Sequence, residues 1–192
     1  MQNHSQPSLR EKKMLLKNIK LDHDFNYFLK EDYYKVGEHS CITHQKTDNP
    51  KLYNDMGGMP KSYVLENTTI YQLWFEDIYL KRELGKKLGV DVVSISTIMQ
   101  PCGSSIPMHV DHFHKIRISY PDDKRTRVRA NIFLEDWEPG HILHYQLNNE
   151  WFTSSPWNAG EGYIWDSEIM HLSGNSGMVP KYTLQVSGFL VN

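Results

Sequence analysis

The chain has 192 residues, 39% hydrophobic and 12% aromatic, enough to enclose one substantial core. Its net charge of -2 with histidine neutral gives no polybasic field, so a nucleic-acid partner is not expected, and no apolar run approaches membrane-spanning length. The polar start Met1-Gln2-Asn3-His4-Ser5 is unlike a signal peptide, and Cys41 and Cys102 fit no zinc or redox spacing, so a reduced, cytoplasmic setting without disulfides is expected.

Residues 1–10 are polar and expected to fray. Glu11 to Ile19 mixes basic and apolar residues and reads as either a short helix or a strand. Asp22 to Glu31 sets Phe25, Phe28 and Leu29 at helical spacing, with Asp22 or Asp24 as the cap. Residues 35–62, with Gly37, Pro50, Gly57, Gly58 and Pro60, read as a long loop able to cover a pocket. Asn67 to Leu88 carries Ile70, Leu73, Trp74, Ile78, Leu80 and Leu84 at threes and fours before Gly89, the pattern of one long scaffold helix.

After Gly89 the texture changes. Val90 to Gln100 is β-branched and broken by Pro101-Cys102-Gly103, and His114 to Tyr120 alternates before a turn at Tyr120-Pro121-Asp122-Asp123. Arg125 to Leu134 resumes a strand, with Val128, Ala130, Ile132 and Leu134 on one side and Arg127, Arg129, Asn131 and Phe133 on the other. Short strands follow at His141 to Leu147, Gly162 to Trp165 and Tyr182 to Val191. The expectation is a mainly β protein, a double-stranded β-helix (jelly-roll or cupin-like barrel) braced by N-terminal helices. Residues 1–91 would form the helical and loop support and 92–192 the barrel, within one compact domain.

Pro107-Met108-His109-Val110-Asp111 sets an imidazole and a carboxylate two residues apart, on one side of an extended segment. His171 ends the aromatic run that begins at Tyr163, between Asp166-Ser167 and a presumed turn at Ser173-Gly174-Asn175. Two imidazoles and one carboxylate on one face, with open positions opposite, suit a non-haem iron(II) centre. Lys181 lies ten residues further on and alternates with Tyr182, so that Lys181, Thr183 and Gln185 share a side. Lys181 either begins a strand in solvent or faces the barrel interior, where a buried ammonium needs an anion.

Taken together, His109-x-Asp111, His171 and Lys181 resemble the 2-oxoglutarate- and Fe(II)-dependent oxygenases, in particular their prolyl-hydroxylase-like branch. The likeness runs from Val92 to Asn192, through the Pro101-Cys102-Gly103 turn and the approach Gly162-Tyr163-Ile164-Trp165 to His171. Lys181-Tyr182-Thr183 is similar to the family's Arg-x-Ser motif, with lysine as a point charge in place of the arginine fork. The resemblance implies Fe(II) on His109, Asp111 and His171, and 2-oxoglutarate held at its far carboxylate by Lys181 and Thr183. It further implies O2 as oxidant, ascorbate as a supporting reductant, and a peptide or small-molecule prime substrate.

Arg129 and Asn131 resemble in placement the Arg-x-His pair of the aspartyl and asparaginyl hydroxylase branch, with asparagine where that branch has histidine. They are further candidates for the cosubstrate, and Arg129 also for an anionic part of the substrate. His112 and His114 are expected outside the ligand set, His144 could line the pocket, and Trp137, Trp151, Trp157 and Trp165 form either a substrate wall or core. A cupin-like metal site without oxygenase chemistry, drawing on these extra histidines, is the alternative reading.

Overall fold

A computed structural model of the chain describes residues 15–35, 38–40 and 69–191. Cys41, the first ten residues and most of the 35–62 loop lie outside them. The elements run β1 Leu16–Lys20, α1 Asn26–Leu29, β2 Glu38–Ser40, β3 Thr69–Phe75, α2 Ile78–Leu88, β4 Val90–Gln100, β5 Ser105–His109, α3 His114–Ser119, β6 Arg127–Phe133, β7 His141–Leu147, β8 Glu150–Thr153, β9 Glu161–Trp165, β10 His171–Asn175 and β11 Lys181–Leu190. They form two antiparallel sheets, one of seven strands ordered β1-β9-β6-β11-β4-β3-β2 and one of four ordered β5-β10-β7-β8. This is a mainly β jelly roll, the double-stranded β-helix that the strand pattern implies. Among the described residues no helix is long and apolar enough to cross a membrane.

The larger sheet separates two kinds of chemistry. Its outer face presents Ile95, Val128, Ala130, Ile132, Ile164, Leu184 and Val186, which pack with Leu80, Leu84 and Leu88 of α2 and Phe28 of α1. The alternation then turns Arg129, Asn131, Lys181, Thr183 and Gln185 inward, towards the smaller sheet. Burial of the apolar outer row thus fixes which side chains can meet between the sheets.

Several expectations need correction. Asn67 to Leu88 is not one helix: Thr69–Phe75 is strand β3, paired with β4 from Tyr71↔Met99 to Phe75↔Ile95. Its β-branched and aromatic residues suit a pleated surface, and their spacing imitates a helical stripe only by coincidence. The helix begins after Asp77, whose carboxylate accepts from the Tyr79 and Leu80 N–H groups, and ends at Gly89, in the left-handed region at φ 69. His114 to Tyr120 is likewise not a strand but α3 with its cap. Winding it buries Ile116 against Phe113 and Phe189 and leaves Ile118 67% exposed. The turn at Tyr120-Pro121-Asp122-Asp123 therefore joins a helix to a strand.

The described part of the ambiguous Glu11–Ile19 segment falls largely in strand β1, Leu16–Lys20, paired with β9. The helix in 22–31 shrinks to the single turn α1, where Asp24 accepts from the Asn26 N–H at 3.1 Å. Ser173-Gly174-Asn175 is strand rather than turn, paired with β7 on one side. Strands β5 and β8 add to those expected; β8 follows β7 through Asn148 and Asn149, whose φ values of 52 and 65 make a tight hairpin turn. The described part of the first 91 residues thus adds strands to the large sheet as well as bracing helices.

Leu84 is fully buried between α2 and the sheet. Leu84→Ala should lower unfolding free energy by about 2–5 kcal/mol in urea titration; a change within error of zero would contradict this packing.

Candidate metal centre

Strand β5 ends at His109 and β10 begins at His171, and the two are register partners. Their rings stand 4.2 Å apart between centroids. Asp111 follows β5 by two residues, and its Oδ2 lies 3.9 Å from His171 Nε2. One ligand atom from each of the three residues falls within 4.8 Å of the others, a spacing that one ion can bridge.

Local structure sets the ligand atoms. His109 Nδ1 lies 2.7 Å from the Pro107 carbonyl and His171 Nδ1 3.0 Å from the Ile169 carbonyl. A carbonyl only accepts, so Nδ1 carries the proton and Nε2 keeps its lone pair for a metal. Burial, reinforced by the neighbouring His171, pushes His109 down to about 3; burial also lowers His171. Both rings are therefore neutral at pH 7, the state that ligates. The turn before His171 is tied by Asp166, which accepts from the Glu168 N–H at 2.9 Å and from the Leu15 N–H at 3.1 Å.

Asp111 is 4% exposed. Burial alone would raise its carboxyl, but Arg129, helped by the two imidazoles and the Trp165 N–H, outweighs it and holds Asp111 at about 2. Arg129 Nη1 donates to Oδ1 at 2.5 Å and Trp165 Nε1 to Oδ2 at 2.8 Å. Arg129 and Trp165 are themselves register partners on β6 and β9, so one row of the large sheet supplies both donors. Arg129 also donates to Ser187 Oγ at 3.1 Å and stands over the Phe113 ring. Phe113 has φ 51, unusual for a bulky residue, and its buried ring pins the short loop that carries Asp111.

Lys181 is 2% exposed, so the solvated-end alternative does not hold. Its Nζ donates to the Ile142 carbonyl at 2.6 Å and to Ser173 Oγ at 2.5 Å, and lies 5.5 Å from the Trp157 ring centre. These partners are neutral, and among the described residues no carboxylate pairs with it. Burial pushes its amine down to about 7. Ser173 lies two residues beyond His171 on β10, so the ammonium approaches the triad to within roughly 10 Å by strand rise and side-chain reach.

The remaining candidates divide. Thr183 is buried on the same side of β11 as Lys181. Asn131 is 6% exposed, and its Oδ1 has no hydrogen-bond partner among the described residues. His141 Nε2 meets the Val179 carbonyl and His144 Nδ1 the Thr153 hydroxyl, away from the triad. Trp157 stacks on Phe133 in the core, Trp137 donates to the His141 carbonyl, and Trp151 is 45% exposed. Trp165 is the tryptophan at the site, as a donor to Asp111. Neither its contact there nor the pairing of Arg129 with Asp111 was visible from residue spacing, because both depend on strand register.

No protein-family model matches the sequence, and no curated protein matches it. Among solved structures the chain is similar to a prolyl-4-hydroxylase of Pseudomonas putida, at 16% identity and a TM-score of 0.50, covering 81% of this chain and 92% of that one. It is also similar to a 2OG-Fe(II) oxygenase-family oxidoreductase of Burkholderia pseudomallei (13% identity, TM-score 0.43, covering 65% and 70%). A third is a predicted oxalate decarboxylase of Thermotoga maritima (16% identity, TM-score 0.40, covering 64% and 82%). At such identities the likeness bears on the fold alone, and the first of them supports the jelly roll.

A lysine whose folded pKa lies below its unfolded value binds fewer protons when folded, so stability rises with pH between the two values. Lys181 should therefore make the ligand-free protein gain stability from about pH 7 towards pH 10, and Lys181→Met should remove that gain. Urea denaturation of both proteins at pH 6.5, 8 and 9.5 checks this; parallel pH profiles would contradict it.

Proposed function

We propose that the protein is an Fe(II)- and 2-oxoglutarate-dependent oxygenase, most simply a hydroxylase. One observation carries the reading: a triad of two neutral imidazoles and an ionised Asp111 shares its interior with a buried ammonium that lacks a carboxylate partner among the described residues. The donor set fits the metal. Both imidazoles offer an unprotonated Nε2, and Asp111 offers one ionised oxygen towards them while Arg129 holds the other.

His109, Asp111 and His171 would hold the iron, and Lys181, with Thr183 beside it, the far carboxylate of 2-oxoglutarate. Iron bound there would supply the oxygen activation that couples decarboxylation of 2-oxoglutarate, to succinate and CO2, to oxidation of a prime substrate. The chain's own part is placement and dryness. Arg129 and Trp165 fix the carboxylate plane, and the Pro107 and Ile169 carbonyls fix the ring tautomers. Phe133, Trp157 and Ile169 keep water from the buried end of the site. Lys181 exchanges weak neutral acceptors for an anion, which restores the charge balance lost on burial. A peptidyl proline or another amino-acid side chain is the substrate that best agrees with the sequence resemblance. Arg129 lends itself to positioning Asp111 rather than to gripping a ligand.

With Fe(II), ascorbate and O2 present, the protein should convert 2-oxoglutarate to succinate, and Asp111→Ala should abolish the conversion. Lys181→Met should raise the KM for 2-oxoglutarate by about 10- to 100-fold, the loss expected for a charge-assisted hydrogen bond. In the unaltered protein the 2-oxoglutarate affinity should fall as pH rises above about 7, where the free amine loses its proton. Succinate release unchanged in Asp111→Ala would refute the proposal.

A further inference from the structure

The ring of His171 is the inner end of a file of aromatic side chains that reaches the surface. Trp165 stands 4.4 Å from it between ring centres, and Tyr163 lies 6.2 Å beyond Trp165, its plane only 22° from that of the indole. Tyr145 follows at 5.1 Å from Tyr163, and Phe152 stacks on Tyr145 at 5.5 Å. Register in both sheets builds the file. Tyr163 and Trp165 are two residues apart on β9, so they share its inner side. Tyr145 is the partner of His171 across β7 and β10, and Phe152 the partner of Tyr145 across β8 and β7. Exposure rises along the file, from fully buried Trp165 through half-buried Tyr163 and Tyr145 to Phe152 at 39%.

The order of the side chains matters as much as their contact. Indole and phenol are the aromatic groups that most readily give up an electron, and phenylalanine does not. An oxidised indole in turn takes an electron from a phenol that can release its proton, so a hole created at Trp165 runs downhill to the tyrosines. The Trp165 N–H donates to the ionised Asp111 at 2.8 Å, and that negative charge eases removal of an electron from the ring. The Tyr163 hydroxyl donates at 2.8 Å to the buried hydroxyl of Ser154, a poor base, whereas half-buried Tyr145 can hand its proton to water. Phe152 covers the face of Tyr145 without competing for the hole. Lys181 stands over Trp157, outside this file, so the span assigned to 2-oxoglutarate is left untouched.

We infer that Trp165, Tyr163 and Tyr145 form a radical-transfer chain, which discharges the site when O2 reacts there with no prime substrate in place. Such a chain rests on the oxygenase reading, in which one atom of O2 enters succinate and the other is spent on the substrate. Without a substrate that second atom is reduced to water by two electrons and two protons. Each electron passes from Tyr145 by way of Tyr163 and Trp165 to the metal site. The Tyr145 O–H bond breaks as it leaves, and the proton goes to solvent. A reductant of the ascorbate class returns a hydrogen atom to Tyr145 each time, so two transfers convert one ascorbate to dehydroascorbate. The buried ligands are thereby spared oxidation.

The test is rapid-freeze electron paramagnetic resonance on the full-length protein, loaded with Fe(II) and mixed with 2-oxoglutarate and O2 without prime substrate or ascorbate. A tyrosyl signal should form, narrow when the tyrosines are ring-deuterated, and be lost in the double variant Tyr145→Phe/Tyr163→Phe, which keeps both rings. Succinate formed in the first turnover should be the same in that variant. Over repeated turnovers, peptide mapping should find Trp165 oxidised in the double variant, and ascorbate should protect only the unaltered protein. A tyrosyl signal that survives in the double variant would overturn the inference. So would its absence from unaltered protein that forms succinate, or equal protection of both proteins by ascorbate; the file would then be core packing alone. Failure of the unaltered protein to form succinate is a separate result, because it removes the oxygenase reading itself and the chain with it.

Discussion

A carboxylate shut away from water stays ionised only if donors and cations replace its hydration, and Asp111 is held on those terms. Arg129 takes one oxygen and Trp165 the other, and the two are opposite each other on adjacent strands β6 and β9. Register in the large sheet therefore decides whether the site exists. A slip of one residue would turn both donors to the helix side and leave Asp111 buried and unpaired. The apolar outer row of Val128, Ala130, Ile132 and Ile164 prevents that slip, because it has nowhere else to be buried. Core packing on one face of the sheet is what secures the charge arrangement on the other.

The fold was legible where one period ruled and illegible where two fitted. From Arg127 to Ile132 strict alternation separated apolar from polar residues, and strand β6 lies within the stretch the pattern marked. From Thr69 to Phe75 the spacing of Ile70, Leu73 and Trp74 satisfied a helix as well. Partner strands, which no local pattern contains, decided for the sheet. Two signals in the sequence pointed the right way, the run of aromatic and β-branched residues and Asp77 as a cap just before Ile78. At His114–Ser119 alternation misled in the opposite sense. Only Ile116 had a core to enter, and a helix of six residues buries it while Ile118 stays in solvent.

The site was legible in proportion to how local its parts are. His109 and Asp111 share a strand end, so a period of two was enough to put them together. His171 and Lys181 were reachable only through resemblance and alternation, since what brings them in is pairing of β10 with β5 and β7 and of β11 with β4. Nothing in the spacing could show that Arg129 would meet Asp111 rather than a ligand, or that Trp165 would turn its N–H to the same carboxylate. Such contacts follow from register, which is a property of the assembled sheet. The fixed tautomers of His109 and His171, set by carbonyls two residues earlier in each case, were local and still unread, because residue spacing does not say which carbonyl each ring will face.

The same contacts weigh the two chemistries a jelly roll of this kind can carry. A metal site of the cupin type with a larger histidine set could draw on His112, His114, His141 or His144; of these, His141 and His144 are occupied elsewhere, one at the Val179 carbonyl and one at the Thr153 hydroxyl. Three ligands leave open positions on a metal, which oxygen chemistry requires and a closed site does not. Lys181 adds an independent argument. Burying an ammonium against neutral acceptors destabilises the empty barrel, and a protein that only bound metal would gain nothing in return. A ligand that reaches the open metal positions with one end and the ammonium with the other turns that liability into affinity. A diacid such as 2-oxoglutarate, the cosubstrate proposed above, has that shape, and Lys181, buried against neutral acceptors while Arg129 balances Asp111, is the cation that the proposal places at its far end.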